Sequence, residues 1–194
     1  ICACLVGSEM CIRDRYMIDA LRALNNTIEI DEINKTLKII GNKNPKYDNL
    51  SLYIGNAGTA MRFLSSYLAT GEGTATLYGN DRMNQRPIKD LVDSLVQLGI
   101  NVEYLSNHGY PPIRITSKGV FASYVKIDGS KSSQYISSIL MAAPNFKNPI
   151  EIELSGRVVS KPYIDMTLAM MNDFGVNFNY NNNSVHISPQ EYNI

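Results

Sequence analysis

The stretch Leu52-Tyr-Ile-Gly-Asn-Ala-Gly-Thr-Ala-Met-Arg62 passes from a predicted strand into a predicted helix through a run of small residues. The strand ends at Ile54 and the helix begins near Thr59, so the linking backbone N–H groups can come close to a ligand. A helix beginning has about half a positive charge and several unpaired N–H donors, which suit a carboxylate or phosphate. The alternative interpretation is a simple turn with Thr59 as the N-cap. The glycine spacing matches neither a Walker loop nor a dinucleotide fingerprint.

The elements around this stretch recur along the chain with a period of about 75 residues. An amphipathic helix, a turn, a strand, a polar turn and a second strand are predicted at residues 17–40, 88–116 and 164–187. A strand, a helix and a strand are predicted between them, at residues 50–54, 59–69, 74–78 and again at 124–127, 133–141, 150–154. Each complete unit therefore has the order β-α-β-α-β-β, with partial units flanking. Asn25, Gly99 and Gly175 stand at the equivalent helix end, which predicts a left-handed backbone there.

This pattern predicts an α/β (α+β) fold in which helices pack inside sheets contributed by each copy. The 194 residues suit one domain with a real core. Because 18 basic residues balance 18 acidic ones, the chain has no overall basic field for nucleic acid, and an anion site must be built locally. No apolar run approaches the roughly 20 residues that span a bilayer. We therefore expect a cytoplasmic protein that binds neither nucleic acid nor membrane.

A second helix beginning is predicted in Asp81-Arg-Met-Asn-Gln-Arg-Pro-Ile88. Pro87 suits the first helical position, which would make Arg86 the cap. An arginine is unfavourable there because the helix dipole has the same sign, unless the guanidinium holds an anion. The alternative is that Arg82 and Arg86 are solvated, or paired with Asp81 or Asp90.

Two more helix beginnings carry hydroxyl groups, in Gly129-Ser-Lys-Ser-Ser-Gln134 and Val159-Ser-Lys-Pro-Tyr163. Each hydroxyl is either an ordinary N-cap or a donor to a bound phosphate. Four polar helix beginnings that carry cations, in a neutral chain, favour one convergent anion site.

The cysteines Cys2, Cys4 and Cys11 all lie in the first eleven residues. Their spacing matches no zinc pattern, and no histidine lies nearby to complete a metal or redox cluster. The string Val6-Gly-Ser-Glu-Met-Cys-Ile-Arg-Asp-Arg15 resembles translated sequencing-adapter DNA. We therefore interpret residues 1–15 as a non-native segment and expect no metal site.

The four helix beginnings, in this order and spacing, resemble those of the 5-enolpyruvylshikimate-3-phosphate synthase family. The motifs that carry the resemblance are Gly55-Asn-Ala-Gly-Thr-Ala-Met-Arg62, Arg82-Met-x-x-Arg-Pro-Ile88, Ser132-Ser-Gln-Tyr-Ile136 and Ser160-Lys-Pro-Tyr-Ile-Asp-Met-Thr167. The resemblance covers about residues 16–190. One departure is Phe63, which stands where the family often has proline.

The resemblance implies a two-lobed fold, each lobe built of three β-α-β-α-β-β units, and transfer of the enolpyruvyl group of phosphoenolpyruvate to the 5-hydroxyl of 3-phosphoshikimate. Phosphate is released, in the shikimate pathway to chorismate and aromatic amino acids, without metal or organic cofactor. Residues 16–194 would be the phosphoshikimate-binding lobe, incomplete at its N-terminal side, with the second lobe absent. Because the family's acid and base groups belong to that second lobe, no catalytic residue is expected in this fragment, which should be inactive alone.

By the same resemblance, Ser132, Ser133 and Ser160 would contact 3-phosphoshikimate, mainly through its phosphate, and Gln134 would touch both substrates.

Phosphoenolpyruvate would be bound by Gly58 and Arg86, in a pocket shaped by Asn56 and Thr59. Two further residues would line the site: Arg62 and Tyr163.

Two other functions are weighed against this one. The related enolpyruvyl transferase that acts on UDP-N-acetylglucosamine shares the fold but uses a reactive loop cysteine, and this chain has no cysteine after Cys11. A non-enzymatic ferredoxin-like binding module for RNA would need a basic sheet with stacking aromatic residues, and no such motif occurs.

Overall fold

Two copies of one strand and helix plan make up most of the computed structural model, which describes residues 9–42, 45–181 and 183–193. The first copy has the elements β3 (Lys46–Tyr53), α2 (Gly58–Thr70), β4 (Glu72–Tyr78), α3 (Lys89–Gln97), β5 (Asn101–Tyr104) and β6 (Ile113–Lys118). The second has β7 (Tyr124–Asp128), α4 (Ser133–Ala142), β8 (Ile150–Ser155), α5 (Lys161–Asp173), β9 (Phe178–Asn181) and β10 (Ser184–Ile187). Before them lie α1 (Glu9–Ala23), β1 (Thr27–Asp31) and β2 (Thr36–Ile40).

Each complete unit forms a four-stranded mixed sheet with the same strand order. The orders are β3-β4-β6-β5 and β7-β8-β10-β9, while β1 and β2 form a two-stranded sheet. The first two strands of each complete unit are parallel, because a helix crosses between them, and the remaining pairs are antiparallel. The predicted β-α-β-α-β-β repeat is therefore confirmed.

Helices α2 and α4 lie in the interior, packed against each other. Small and apolar residues occupy most positions of both helices, so most of each helix surface is buried. Where they meet, the buried Ser66 hydroxyl donates to the Ser138 hydroxyl at 2.9 Å. Helices α3 and α5 bury one face each. The predicted fold class, with helices inside the sheets, is confirmed.

The predicted left-handed helix ends are also confirmed. The backbone φ angles are 62° at Asn25, 84° at Gly99 and 78° at Gly175. A residue with positive φ lets the chain leave the helix and turn back toward its sheet.

Some predicted boundaries differ from the structure. Strand β3 begins at Lys46 rather than residue 50, because the buried Tyr47 pairs with Gly73 beyond a shift in register. Helix α1 begins at Glu9, before the predicted start at residue 17, and so crosses the proposed boundary at residue 15. The non-native origin of residues 1–15 stays a prediction.

The described part of the chain has no helix long and apolar enough to cross a bilayer. Within those same ranges, no group of three or more His, Cys, Asp or Glu side chains could hold a metal ion. The side chains of Cys2, Cys4 and Cys11 lie outside the described residues.

Candidate functional site

The beginning of α2 has no side-chain cap. The N-cap is Ala57, whose methyl group cannot accept a hydrogen bond, and no side chain caps the helix. Thr59 lies in the first turn with its side chain exposed, so the alternative interpretation, with Thr59 as the N-cap, is not realised. The first-turn N–H groups of α2 are therefore free of the side-chain partner that most helices have.

The guanidinium of Arg86 lies directly over this uncapped beginning. Its Nη1 reaches the backbone oxygen of Asn56 at 3.5 Å. A Cβ atom added to Gly58 would collide with the same Nη1. The guanidinium can therefore occupy this position because residue 58 is a glycine. Two sources of positive potential, the helix N–H groups and the arginine, thus face the same point.

The prediction that Pro87 opens α3 with Arg86 as its cap is wrong. The helix begins at Lys89 with Ile88 as N-cap, and Arg86 is extended at φ −94° and ψ 122°. A residue before proline is driven to the extended region by clash with the proline ring. Ile88 is buried and its N–H donates to the oxygen of Gly109 at 2.9 Å, which holds the chain in this path. Arg86 therefore serves the beginning of α2 rather than that of α3.

The two arginines of this loop are not held by carboxylates. Arg82 and Arg86 are exposed, and neither forms an ion pair with another residue in the ranges that the structure describes. The alternative of pairing with Asp81 or Asp90 is therefore not realised.

Gln134, at the beginning of α4, joins that helix to α2. Its Oε1 accepts a hydrogen bond from Arg62 Nη1, and its Nε2 donates to Thr59 Oγ1 at 3.2 Å. The Arg62 guanidinium also lies 5.2 Å from the ring centroid of Tyr135, whose hydroxyl donates to the oxygen of Pro87 at 2.8 Å. Burial raises the pKa of the Tyr135 phenol, and the charge of Arg62 opposes that rise. The structure thus brings three of the predicted stretches together.

Ser132 is the N-cap of α4 by position but makes no capping hydrogen bond. Its backbone is extended, at φ −150° and ψ 124°, and its side chain is half-buried, while the next residue, Ser133, is buried. The hydroxyl of Ser132 therefore does not cap the helix by a hydrogen bond, as an ordinary N-cap side chain does.

The beginning of α5 adjoins the beginning of α4 through the backbone. Val159 N donates to Gly129 O at 2.9 Å, which sets the loop before Ser160 beside the loop before Ser132. Ser160 has a left-handed backbone, φ 57° and ψ 36°, and makes no side-chain cap. That conformation is uncommon for a residue with a Cβ and costs about 1–3 kcal/mol.

Tyr163 is the predicted site residue least connected to the others. Its ring is 59% exposed. Its backbone oxygen accepts from Thr167 Oγ1 at 2.8 Å, and that hydroxyl pairs with Ser137 Oγ on α4, also at 2.8 Å. The structure places Tyr163 on the same helix beginning as Ser160 but does not bring its ring to the arginines.

Two buried amide oxygens beside the arginines have no hydrogen-bond partner among the described residues, and they belong to Asn56 and Asn84. Asn56 was predicted to shape the site. Asn84, in the short 3₁₀ turn Met83–Gln85, was missed, because nothing in its local sequence marks it. Both oxygens are hydrogen-bond acceptors at the edge of the loop that carries Arg82 and Arg86.

We call Gly58, Thr59, Arg62, Arg86 and Gln134 the anion cluster. It has two guanidinium groups, no carboxylate and the uncapped beginning of α2, so it can bind an anion. The cavity between Gly58 and Arg86 measures only about 10 Å³, room for about one water and not for a substrate. The cluster therefore forms one wall of a site rather than an enclosed pocket.

Comparison with known proteins identifies the family of this chain. The family model described as EPSP synthase (3-phosphoshikimate 1-carboxyvinyltransferase) matches residues 12–193. The match begins inside the segment interpreted as non-native, whose boundary stays a prediction.

Named relatives share nearly half of the residues. A 3-phosphoshikimate 1-carboxyvinyltransferase of Histophilus somni (strain 2336) is 47% identical over 192 residues, covering 92% of this chain. One of Haemophilus influenzae (strain PittEE) is 45% identical over 191 residues, again covering 92% of this chain. The chain spans 44% of the length of each.

A solved structure shares the fold. The EPSP synthase from Acinetobacter baumannii superposes with a TM-score of 0.77 at 22% identity, covering 93% of this chain and 40% of that one. Since the family model and the curated relatives agree with this likeness, the chain belongs to the EPSP synthase family.

Proposed function

We propose that this chain is the phosphoshikimate-binding part of an enzyme that transfers the enolpyruvyl group of phosphoenolpyruvate to the 5-hydroxyl of 3-phosphoshikimate and releases phosphate. The observation that carries the proposal is the anion cluster, in which the Arg86 guanidinium lies over the uncapped beginning of α2, against Gly58. Both substrates are multiply charged anions, and such a cluster is suited to them. The relatives that share nearly half of the sequence are named for this reaction.

The phosphoenolpyruvate side of the site would be formed by α2 and the loop that precedes α3. Arg86 would bind an anionic group of this substrate, and the N–H groups that follow Gly58 would bind beside it. Asn56 and Thr59 would shape this pocket. Arg62 would orient Gln134, whose amide it already contacts.

The phosphoshikimate side would be formed by α4 and α5. Ser132 and Ser160 begin helices without capping them, so their hydroxyl groups are available to a phosphate. Ser133 stands at the first position of α4, where its N–H can also donate. Gln134 lies between the two sides and would contact both substrates, and Tyr163 would line the outer rim.

The catalytic groups would come from elsewhere in the longer protein. General acid–base catalysis needs a proton-transfer group within hydrogen-bond reach of the reacting atoms. The anion cluster offers arginines and an amide, which bind charge but do not exchange protons near neutral pH. We therefore propose that residues 16–194 form one lobe, incomplete at its N-terminal side, and that a second lobe completes the site. The chain alone would be inactive, and the longer protein would act in the cytoplasm.

Calorimetric titration of the chain with 3-phosphoshikimate tests the proposal. One wall of the site should bind weakly, near millimolar, or about −4 kcal/mol. Shikimate without its phosphate is the matched control and should give no heat, because the helix beginnings recognise the phosphate. Equal binding of the two compounds would contradict the proposal.

The same preparation separates the alternatives. A UDP-N-acetylglucosamine enolpyruvyl transferase would bind that nucleotide sugar better than 3-phosphoshikimate. A ferredoxin-like RNA module would retain RNA on a filter at low salt. We expect neither result.

A further inference from the structure

Tyr135 is a buried residue at the beginning of α4, directly after Gln134. Its side chain is almost fully enclosed, at 4% exposed. Its N–H donates to Ser132 O at 3.1 Å, which fixes the residue to the beginning of its own helix. A tyrosine enclosed in this way needs a partner for its hydroxyl group, because a buried O–H without one is costly. The partner comes from the first complete unit.

The phenol of Tyr135 reaches the segment that carries Arg86. Its hydroxyl donates to Pro87 O at 2.8 Å. This carbonyl lies just before α3, where Val92 N donates to Ile88 O, so Pro87 O is open to a partner from outside the helix. The proline ring fixes its own φ angle and thereby removes one of the two backbone rotations between that carbonyl and the peptide of Arg86. Tyr135 therefore holds the backbone directly after Arg86.

Two further hydrogen bonds hold this segment. Arg86 N donates to Met83 O at 3.0 Å, and Ile88 N donates to Gly109 O at 2.9 Å. Both bonds lie within the first complete unit, so neither ties the segment to the second unit. The bond from Tyr135 comes from the second unit and ties the position of Arg86 to the beginning of α4.

The ring of Tyr135 contacts the second arginine of the anion cluster. The guanidinium carbon of Arg62 lies 5.2 Å from the ring centroid, within the range of a cation–π interaction. The same guanidinium donates to Gln134 Oε1. Arg62, Arg86 and Pro87 line one small cavity. One buried side chain is therefore in contact with Arg62 directly and with Arg86 through Pro87.

We infer that Tyr135 is a positioning residue that sets where the guanidinium of Arg86 lies relative to the beginning of α4. Its hydroxyl is bonded to Pro87 and its ring faces Arg62, so it acts on a bound anion through the arginines and not by contact. The inference rests on the proposed function, in which Arg86 binds phosphoenolpyruvate and the beginning of α4 binds 3-phosphoshikimate. Because reacting groups must be held close together and in register, Tyr135 then fixes the separation of the two substrates.

Steady-state kinetics of the complete enzyme that contains this chain test the inference. Tyr135→Phe removes the hydroxyl and keeps the ring beside Arg62. We expect the KM for phosphoenolpyruvate to rise about fivefold and the KM for 3-phosphoshikimate to change by less than about twofold. A residue that serves stability alone would lower the amount of active enzyme and leave both KM values unchanged. In an Arg86→Ala enzyme, Tyr135→Phe should have no further effect on phosphoenolpyruvate, because it acts through that guanidinium.

Tyr192→Phe is the matched control. The phenol of Tyr192 also donates to a backbone carbonyl, Met141 O, at 2.8 Å, but in the last turn of α4, away from the anion cluster. Its loss should lower stability to a similar degree and leave both KM values unchanged. An unchanged KM for phosphoenolpyruvate in Tyr135→Phe would overturn the inference. So would additive effects of Tyr135→Phe and Arg86→Ala.

Hydrogen exchange in this chain tests the structural part of the inference apart from the reaction. The amide N–H groups of Arg86 and Ile88 should exchange at least about threefold faster in Tyr135→Phe and at an unchanged rate in Tyr192→Phe. Faster exchange, together with an unaltered enzyme that does not bind phosphoenolpyruvate, would contradict the proposed function and still support the positioning of this segment by Tyr135. Unchanged exchange would overturn the inference whether or not the enzyme binds either substrate.

Discussion

The two complete units have the same elements and strand order but differ in the residues with which their helices begin. In residues 46–118 the first helix begins at Gly58, and an arginine from the following loop lies over it. In residues 124–187 the equivalent helix begins at Ser133 after an extended Ser132. The repeat therefore sets where helix beginnings lie, and the loop residues set the charge and the hydrogen-bond donors at each one.

The difference follows from where the unpaired donors lie. A helix that follows the first strand of each unit exposes its first N–H groups at the end of that strand, whatever its sequence. Small residues and a guanidinium make a flat, strongly positive surface, while hydroxyl groups add short directional donors. Fold and ligand chemistry are thus carried by different residues.

The prediction with the largest expected effect concerns the core, and it tests whether the interior helices of the two units contribute equally to stability. Met61 and Ile136 occupy matching positions in α2 and α4, and both are buried. Met61→Ala and Ile136→Ala should each lower the free energy of unfolding by about 2–5 kcal/mol, through lost burial and a new cavity. Urea unfolding measures both, with the exposed Val96→Ala as control. A loss below about 1 kcal/mol in one variant only would break the equivalence.

The next effect separates the two helix beginnings by charge. In the complete enzyme that contains this chain, Arg86→Ala should weaken phosphoenolpyruvate binding by about 1.5–3 kcal/mol, because a charged donor to the bound anion is lost. Calorimetry in the presence of 3-phosphoshikimate measures the loss. Arg82→Ala, on the same loop, is the control and should bind nearly as well. Unchanged affinity in Arg86→Ala would show that the proposed role of Arg86 is wrong.

A smaller effect distinguishes a ligand-binding hydroxyl from a helix cap. Because Ser132 makes no capping hydrogen bond, Ser132→Ala should change the free energy of unfolding by less than about 0.5 kcal/mol, against the roughly 1 kcal/mol that an ordinary N-cap contributes. The affinity for 3-phosphoshikimate should fall by about 0.5–1.5 kcal/mol. Loss of stability with unchanged affinity would restore the interpretation of Ser132 as a cap.

The smallest effect concerns the last turns of α2 and α4, each of which accepts a hydrogen bond from a tyrosine outside the helix. The phenol of Tyr47 donates to Leu68 O of α2, and that of Tyr192 donates to Met141 O of α4 at 2.8 Å. Burial raises the pKa of Tyr192 to about 12 and raises that of Tyr47 as well. Only the neutral phenol can donate, so this stabilisation is complete below pH 10 and is lost as pH rises toward 12.

Absorbance of tyrosinate and urea unfolding at several alkaline pH values measure this effect. Tyr192→Phe should cost about 0.5–1.5 kcal/mol at neutral pH and reduce the loss of stability between pH 10 and 12. The exposed Tyr53 provides the control, since Tyr53→Phe should change the free energy of unfolding at neutral pH by less than about 0.5 kcal/mol. An identical profile for Tyr192→Phe and the unchanged chain would contradict the assignment.

Most elements could be predicted because they depend on local patterns. The apolar periodicity and the turn residues Asn25, Gly99 and Gly175 set the helices and their ends. The placement of Arg86 could not be predicted, because it depends on the burial of Ile88 and a hydrogen bond to Gly109 from a distant loop. Asn84 was missed for a related reason, since a buried unpaired oxygen is a property of the surroundings and not of the residue.

The sequence alone determined the repeat, the identity of the helix beginnings and the family to which they are similar, because strand and helix periodicity and loop chemistry are local. Only the tertiary structure decided that Arg86 lies over α2 rather than α3, that Gln134 joins α2 to α4, and that Ser132 and Ser160 leave their helices uncapped. The Gln134 contact requires residues from separate units to meet, and that meeting is set by the packing of α2 against α4. The other two facts depend on the backbone path and side-chain placement at each helix beginning, which local sequence patterns do not fix.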